Sequence, residues 1–275
     1  MNAIEVKTPD GVGLAVYEWG NPSGPEIFLI HGVAQSSLSF TRQVNSDLTK
    51  DHRIIAVDLR GHGASDKPLE AARYHSEKLW GDEIQAVIEA KRLRKPTLVG
   101  WSLGGRVIGQ YLRVHGDKHI GGINFVSART LADPVFSGAG MKNLPAVRPR
   151  DLGSQVVATT AFLRACFHKQ PTDAEFAVQL AFNMMVPSEV PAAIRSWPGD
   201  IPQTQAALRA VTVPTLVTHG RMDAVVLPAA AEATLSLVPG SRASWYDDCG
   251  HAPFFEDAPR FNRELAAFVA RVWKA

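Results

Sequence analysis

The sequence predicts an α/β protein, a mostly parallel sheet flanked by helices, with a helical insertion ahead of the last two strands. Three observations predict it. Short apolar runs alternate with segments of helical period from Ile4 to Ser127 and again from Pro214 onward, the pattern of βαβ units with right-handed crossovers. Between about Asp133 and Ala210 no strand-like run occurs. Finally, the run through Leu98 and Val99 stops at Gly100 and continues Trp101, Ser102, Leu103, Gly104, Gly105. A periodic segment from Val107 to Val114 follows, so a sharp strand-to-helix turn lies in the first half.

Ile4–Lys7 and Leu14–Trp19 flank Pro9, Asp10 and Gly11 and read as a hairpin with an Asp-Gly turn. Glu26–Ile30 is almost wholly apolar, as a strand buried on both faces should be, and ends at His31 and Gly32. Ser37–Leu48 is predicted helical, because Phe40, Val44 and Leu48 recur every fourth residue. Arg53–Asp58 is the next strand, followed by a glycine-punctuated loop to Ser65 and a helix over Ser76–Leu93. The strand before Ser102, its helix to about His115 and an apolar strand over Ile120–Ser127 complete the first half. Within the insertion, helical patterns cover Leu152–His168, Thr172–Met185 and Glu189–Ser196. Strands at Pro214–Thr218 and Arg242–Tyr246 alternate with helices at Ala229–Leu237 and Arg260–Val272. The expected division is a core domain of residues 1–132 and 211–275 and a cap subdomain of 133–210.

Composition narrows the function. At 275 residues, 45% hydrophobic and 20% charged, the chain is an ordinary globular protein with room for one large domain and an insertion. A net charge of +2 without a long basic run argues against nucleic acid, and Lys91–Lys95 reads as the solvated end of a helix. No apolar run reaches membrane-spanning length and no basic-then-apolar leader is visible, so the expectation is a cytoplasmic protein without membrane contact. Cys166 and Cys249 lie in no metal or redox motif and are expected to be free thiols.

The polar candidates follow predicted strands, where open α/β sheets bind ligands. Ser102, on a turn whose neighbours Gly100 and Gly104 must be small, is the expected nucleophile, set at a helix N-terminus that favours negative charge. His251, after the last strand, is the expected base, because an imidazole can take the hydroxyl proton and return it to the leaving group. Asp223 is the expected acid that fixes the imidazole, preferred over Asp133 after the preceding strand, while Asp247 and Asp248 read as surface residues. An oxyanion hole needs two converging N–H groups, expected from Leu103 and, in the loop 31–34, Val33. His31 and His62 read as loop braces. No histidine has ligand spacing, so neither metal nor organic cofactor is expected.

His31-Gly32, the loop Asp58 to Ser65, Gly100 to Gly104, His219 to Asp223 and Gly250-His251 together resemble the motif ladder of the α/β-hydrolase superfamily across nearly the whole chain. The resemblance implies an eight-stranded sheet with one antiparallel strand and a cap over the site. The stretches around Ser102 and His251 are similar to those of carboxylesterases and acyl-homoserine-lactone lactonases, and perhydrolases share the triad. Haloalkane dehalogenases and epoxide hydrolases use aspartate where this chain has Ser102. The cap is expected to set the substrate. Its Phe136, Met185 and Trp197, with Trp101 beside the nucleophile, are the expected pocket residues and suggest an apolar acyl or alkyl site. The reading is a serine hydrolase, monomeric or a small homo-oligomer, acting on a small, largely apolar ester or lactone. A perhydrolase, or a ligand-sensing receptor on the same fold with slow turnover, is the alternative.

Overall fold

The computed structural model describes residues 3–143, 151–197 and 199–274, so 144–150 and 198 of the expected insertion lie outside the described residues. Eight strands form one sheet: β1 (Ile4–Lys7), β2 (Gly13–Gly20), β3 (Glu26–Ile30), β4 (Arg53–Val57), β5 (Thr97–Trp101), β6 (Gly122–Val126), β7 (Thr215–Gly220) and β8 (Arg242–Tyr246). Their order is β1-β2-β4-β3-β5-β6-β7-β8. β2 runs antiparallel to both its neighbours and every other pairing is parallel, so β2 is the one reversed strand.

The central strands read as apolar runs because both faces are covered. Side chains alternate across a strand. Phe28 and Ile30 therefore join one buried cluster with Ile84, Val87, Val107 and Ile108 of helices α1 (Glu77–Ala90) and α2 (Leu103–His115). Ile27 and Leu29 join the opposite cluster with Phe261, Leu265 and Val269. The last three belong to the closing helix, labelled α8 below, and burying each contributes about 2 kcal/mol. The register puts Val57, Ile30, Gly100, Phe125, Val217 and Ala243 in one row across six strands. The loops just beyond that row carry the polar residues of the site.

Between β6 and β7 lie α3 (Leu152–Ala165), α4 (Asp173–Met184), α5 (Glu189–Ser196) and α6 (Ile201–Arg209). α7 (Pro228–Leu237) and α8 (Ala258–Lys274) follow β7 and β8. α4 opens on a reciprocal capping box between Thr172 and Glu175. α6 has no counterpart among the predicted elements. Asp200 starts it, accepting from Gln203 N–H at 3.0 Å, with Pro202 in the first turn.

Two local expectations are corrected. The segment 37–48 is not one helix but short turns at Ser37–Phe40, Thr41–Val44 and Leu48–Asp51. Serines divert the backbone there: Ser36 Oγ takes Leu38 N–H at 3.3 Å, and Ser46 Oγ takes Leu48 N–H at 3.3 Å while donating to Gln43 O at 2.7 Å. The first hairpin is also wider than an Asp-Gly turn. Thr8 closes a loop to Val12, its N–H donating to Val12 O at 2.9 Å. Cys166 and Cys249 are free and buried. Among the described residues no helix is long and apolar enough to cross a membrane.

Candidate active site

Ser102 stands between β5 and α2 with φ 54° and ψ −111°. A non-glycine residue held there stores on the order of 1–3 kcal/mol of backbone strain. The neighbours allow it by having no side chain: a Cβ on Gly104 would lie 2.2 Å from Ile30 O, and one on Gly100 2.7 Å from the Gly104 carbonyl. Ser102 N–H donates to Val126 O at 3.0 Å, which ties the turn to the next strand. Leu103, first in α2, has an N–H with no intrahelical acceptor.

The loop after β3 is held by two buried imidazoles. His31 Nε2 accepts Leu59 N–H at 3.0 Å while Nδ1 meets Gly32 O at 2.7 Å. His62 Nε2 accepts Ala34 N–H at 3.0 Å while Nδ1 meets Arg60 O at 2.8 Å. Each ring thus needs one unprotonated nitrogen, which assigns both as neutral Nδ1–H tautomers. Burial pushes His31 down to about 4. Burial, aided by His31, pushes His62 down to about 3. The pair therefore braces the segment that carries Val33, whose N–H makes no hydrogen bond among the described residues.

Asp223 lies three residues past β7, buried. Its Oδ1 accepts Val225 N–H at 2.8 Å and Val226 N–H at 2.9 Å, and its Oδ2 meets His251 Nδ1 at 2.8 Å. His219 Nε2 adds a contact at 3.3 Å to Oδ2 while meeting Val226 O at 2.9 Å. Burial alone would raise the Asp223 carboxyl, but the His251 charge and the bonds from His219 and His251 hold it well below the usual carboxylate range. Asp133 sits apart, its carboxylate capping the turn at Pro134–Phe136 through Val135 N–H at 2.9 Å. Asp247 and Asp248 form surface pairs with Arg221 and Lys169.

The His251 loop is clamped from two sides. His251 N–H donates to Cys166 O at 2.9 Å, and Trp101 Nε1 donates to His251 O at 2.8 Å. The Glu256 carboxylate gathers Gly250 N–H at 2.9 Å together with His168 N–H at 2.9 Å and Lys169 N–H at 2.8 Å. With Nδ1 facing Asp223, Nε2 of His251 makes no hydrogen bond among the described residues. Among the described residues Ser102 Oγ makes no hydrogen bond, and such bonds commonly tighten only when substrate is seated.

Ser102 opens into a cavity of about 50 Å³. Val33, Leu103, Met141, Phe162 and Ile194 form its apolar wall, and Arg106, Arg129 and Arg195 its polar one. The arginines have no counterpart in the sequence reading, which expected an apolar pocket. None of the four expected pocket residues lines this cavity. Trp101 is buried against His251 and Phe254, ring centroids 5.6 and 4.8 Å away. Phe136 packs against the two large clusters. Met185, at the end of α4, is 63% exposed because that helix buries Phe176 and Phe182 instead. Trp197 borders a second, larger cavity. His219 was also missed as a site residue, although it stands four before Asp223. No group of three or more His, Cys, Asp or Glu side chains able to hold a metal occurs among the described residues.

A family model for the α/β hydrolase fold matches residues 25–258. Among solved structures, one of an aryl-esterase candidate from Burkholderia cenocepacia is 38% identical, with a TM-score of 0.94 and full coverage of both chains (100% and 100%). An esterase from Rhodococcus sp. ECU1013 is 32% identical with a TM-score of 0.91, covering 99% of this chain and 100% of that one. A bifunctional esterase/perhydrolase from Acinetobacter calcoaceticus is 25% identical over 96% of this chain and 98% of its own. With an eight-stranded sheet, a strained serine turn and a family match over most of its length, the chain belongs to the α/β-hydrolase family.

Proposed function

We propose that the protein is a serine hydrolase that cleaves a small carboxylic ester or lactone through an acyl-enzyme on Ser102. The observation that carries the reading is the Asp223–His251 contact of 2.8 Å, formed at the same sheet edge where Ser102 opens into its cavity. The roles follow from proton chemistry. His251 Nε2 takes the Ser102 proton as Oγ attacks the ester carbonyl, and the tetrahedral oxyanion is held by the N–H groups of Val33 and Leu103. The ester C–O bond breaks and the alkoxide leaves with the proton from His251. Water, deprotonated by His251, then releases the acid. Asp223 fixes the Nδ1–H tautomer and stabilises the imidazolium. Chain, base and orienting acid suffice for this cycle, so turnover is expected to survive EDTA.

A panel of p-nitrophenyl esters and lactones of graded length tests the reading. Short members are expected to turn over in the wild type and not in Ser102→Ala. Turnover of none, or persistence in the variant, would overturn it. The likeness to a bifunctional esterase/perhydrolase supports a second reading in which hydrogen peroxide replaces water in the second half-reaction. Peracid formation from the same acyl-enzyme would distinguish it.

A further inference from the structure

Among the described residues, several buried or half-buried arginines are matched by acids. Arg60 is paired with Glu83 and Asp10, Arg53 with Glu18 and Glu26, and Arg113 with Glu77. The Ser102 cavity breaks that habit. Arg106, only 3% exposed, donates through Nη2 to Trp197 O at 2.8 Å and stacks 4.1 Å over the Trp197 ring, and its Nε has no partner. Arg129 donates to Ser137 Oγ at 3.0 Å. No carboxylate lies within salt-bridge reach of either among the described residues. The nearby acids are engaged as caps: Asp133 takes Val135 N–H at 2.9 Å and Asp200 takes Gln203 N–H at 3.0 Å. Arg129 and Arg195 also border the second cavity, of about 950 Å³, so the guanidiniums stand between an outer vestibule and Ser102.

Two neighbouring like charges, Arg106 buried and Arg129 half-buried, with no carboxylate in ion-pair contact are costly unless something anionic joins them. Burial and the charge of Arg129 push Arg106 down to about 9. Planar guanidiniums recognise carboxylates through paired N–H groups. Arg106 lies in the first turns of α2, four residues beyond Ser102, and both line the same small cavity. An ester whose carbonyl and carboxylate are separated by only a few methylenes suits that proximity. Building on the esterase reading above, we infer that the substrate carries a free carboxylate, and that the protein hydrolyses half-esters of short dicarboxylic acids, with Arg106 and Arg129 binding the carboxylate. Water adds across the acyl C–O bond, giving the dicarboxylate, the alcohol and one proton.

Monomethyl glutarate and methyl 5-methylhexanoate, which replaces the carboxylate by an isopropyl group of similar shape, make the test. The half-ester is expected to have at least tenfold higher kcat/KM, mostly through KM. Arg129→Met should lower the half-ester to neutral-ester ratio at least tenfold, and Arg129→Lys should restore part of it. Equal rates for the two esters, or a ratio unmoved by Arg129→Met, would overturn the inference. If neither ester turns over, the esterase reading fails separately. Glutarate binding by calorimetry then decides: binding lost in Arg129→Met upholds the anion site, and no binding to the wild type overturns it.

Discussion

Replacing Asp223 by Asn isolates the electrostatic part of the site with little change of shape. Oδ1 must go on accepting from the N–H groups of Val225 and Val226 at 2.8 and 2.9 Å, so the amide oxygen takes that side. The NH₂ then faces His251 Nδ1 at the 2.8 Å now occupied by Oδ2. An N–H donor there forces Nδ1 to be the acceptor and moves the ring proton to Nε2, where it blocks removal of the Ser102 proton. The same exchange deprives His219 Nε2, 3.3 Å away, of its negative neighbour. In the proposed mechanism the imidazolium formed during attack loses its counter-charge as well. The comparable change in serine proteases costs about 10⁴ in kcat, equivalent to about 5 kcal/mol of transition-state stabilisation. The assay is kcat for an activated ester, with the folded state checked by circular dichroism. A loss under tenfold, or a larger loss for Asp133→Asn, would refute the reasoning.

Other outcomes follow from the same geometry. His31 and His62, at about 4 and about 3 when folded, are protonated in the unfolded chain below about 6.5. Their contribution is therefore complete above about pH 6.5 and is lost as pH falls towards the folded values, by about 2 kcal/mol per histidine at pH 5. Urea midpoints at pH 7.5 and 5 should show that fall, and an unchanged midpoint would contradict it. Ser102→Gly removes the strain at φ 54° and should stabilise the protein by about 1 kcal/mol; a lower Tm would count against strain at the turn. Glu256→Ala releases the N–H groups that join the His251 loop to His168 and Lys169. It should cut kcat about tenfold or more at little change in KM, since positioning rather than binding is lost. An effect confined to KM would show that the clamp does not position His251.

Much of this was legible in the sequence because it depends on local rules. The buried strands are apolar runs, and the serine turn announces itself through glycines, of which Gly104 leaves no room for a Cβ, since one would lie 2.2 Å from Ile30 O. Asp223 and His251 stand just past strand ends, a position that carries meaning before any coordinate is known. What stayed hidden depends on where a side chain points. Arg106 and Arg129 carry no signal in the sequence, because nothing in their neighbours shows that one packs against Trp197 or that both border the cavity. Met185 keeps the helical spacing of a core residue but lies just past its helix, and so is exposed. The helix expected over 37–48 failed because the period of Phe40, Val44 and Leu48 outweighed the serines in the reading, whereas in the chain the serine hydroxyls win.

Labelling with a fluorophosphonate probe, followed by peptide mapping, tests the central claim most directly. A nucleophile made reactive by His251 should be modified at Ser102 alone, with labelling abolished in Ser102→Ala and strongly slowed in Asp223→Asn. Labelling at another residue, or undiminished labelling of Ser102→Ala, would contradict the account.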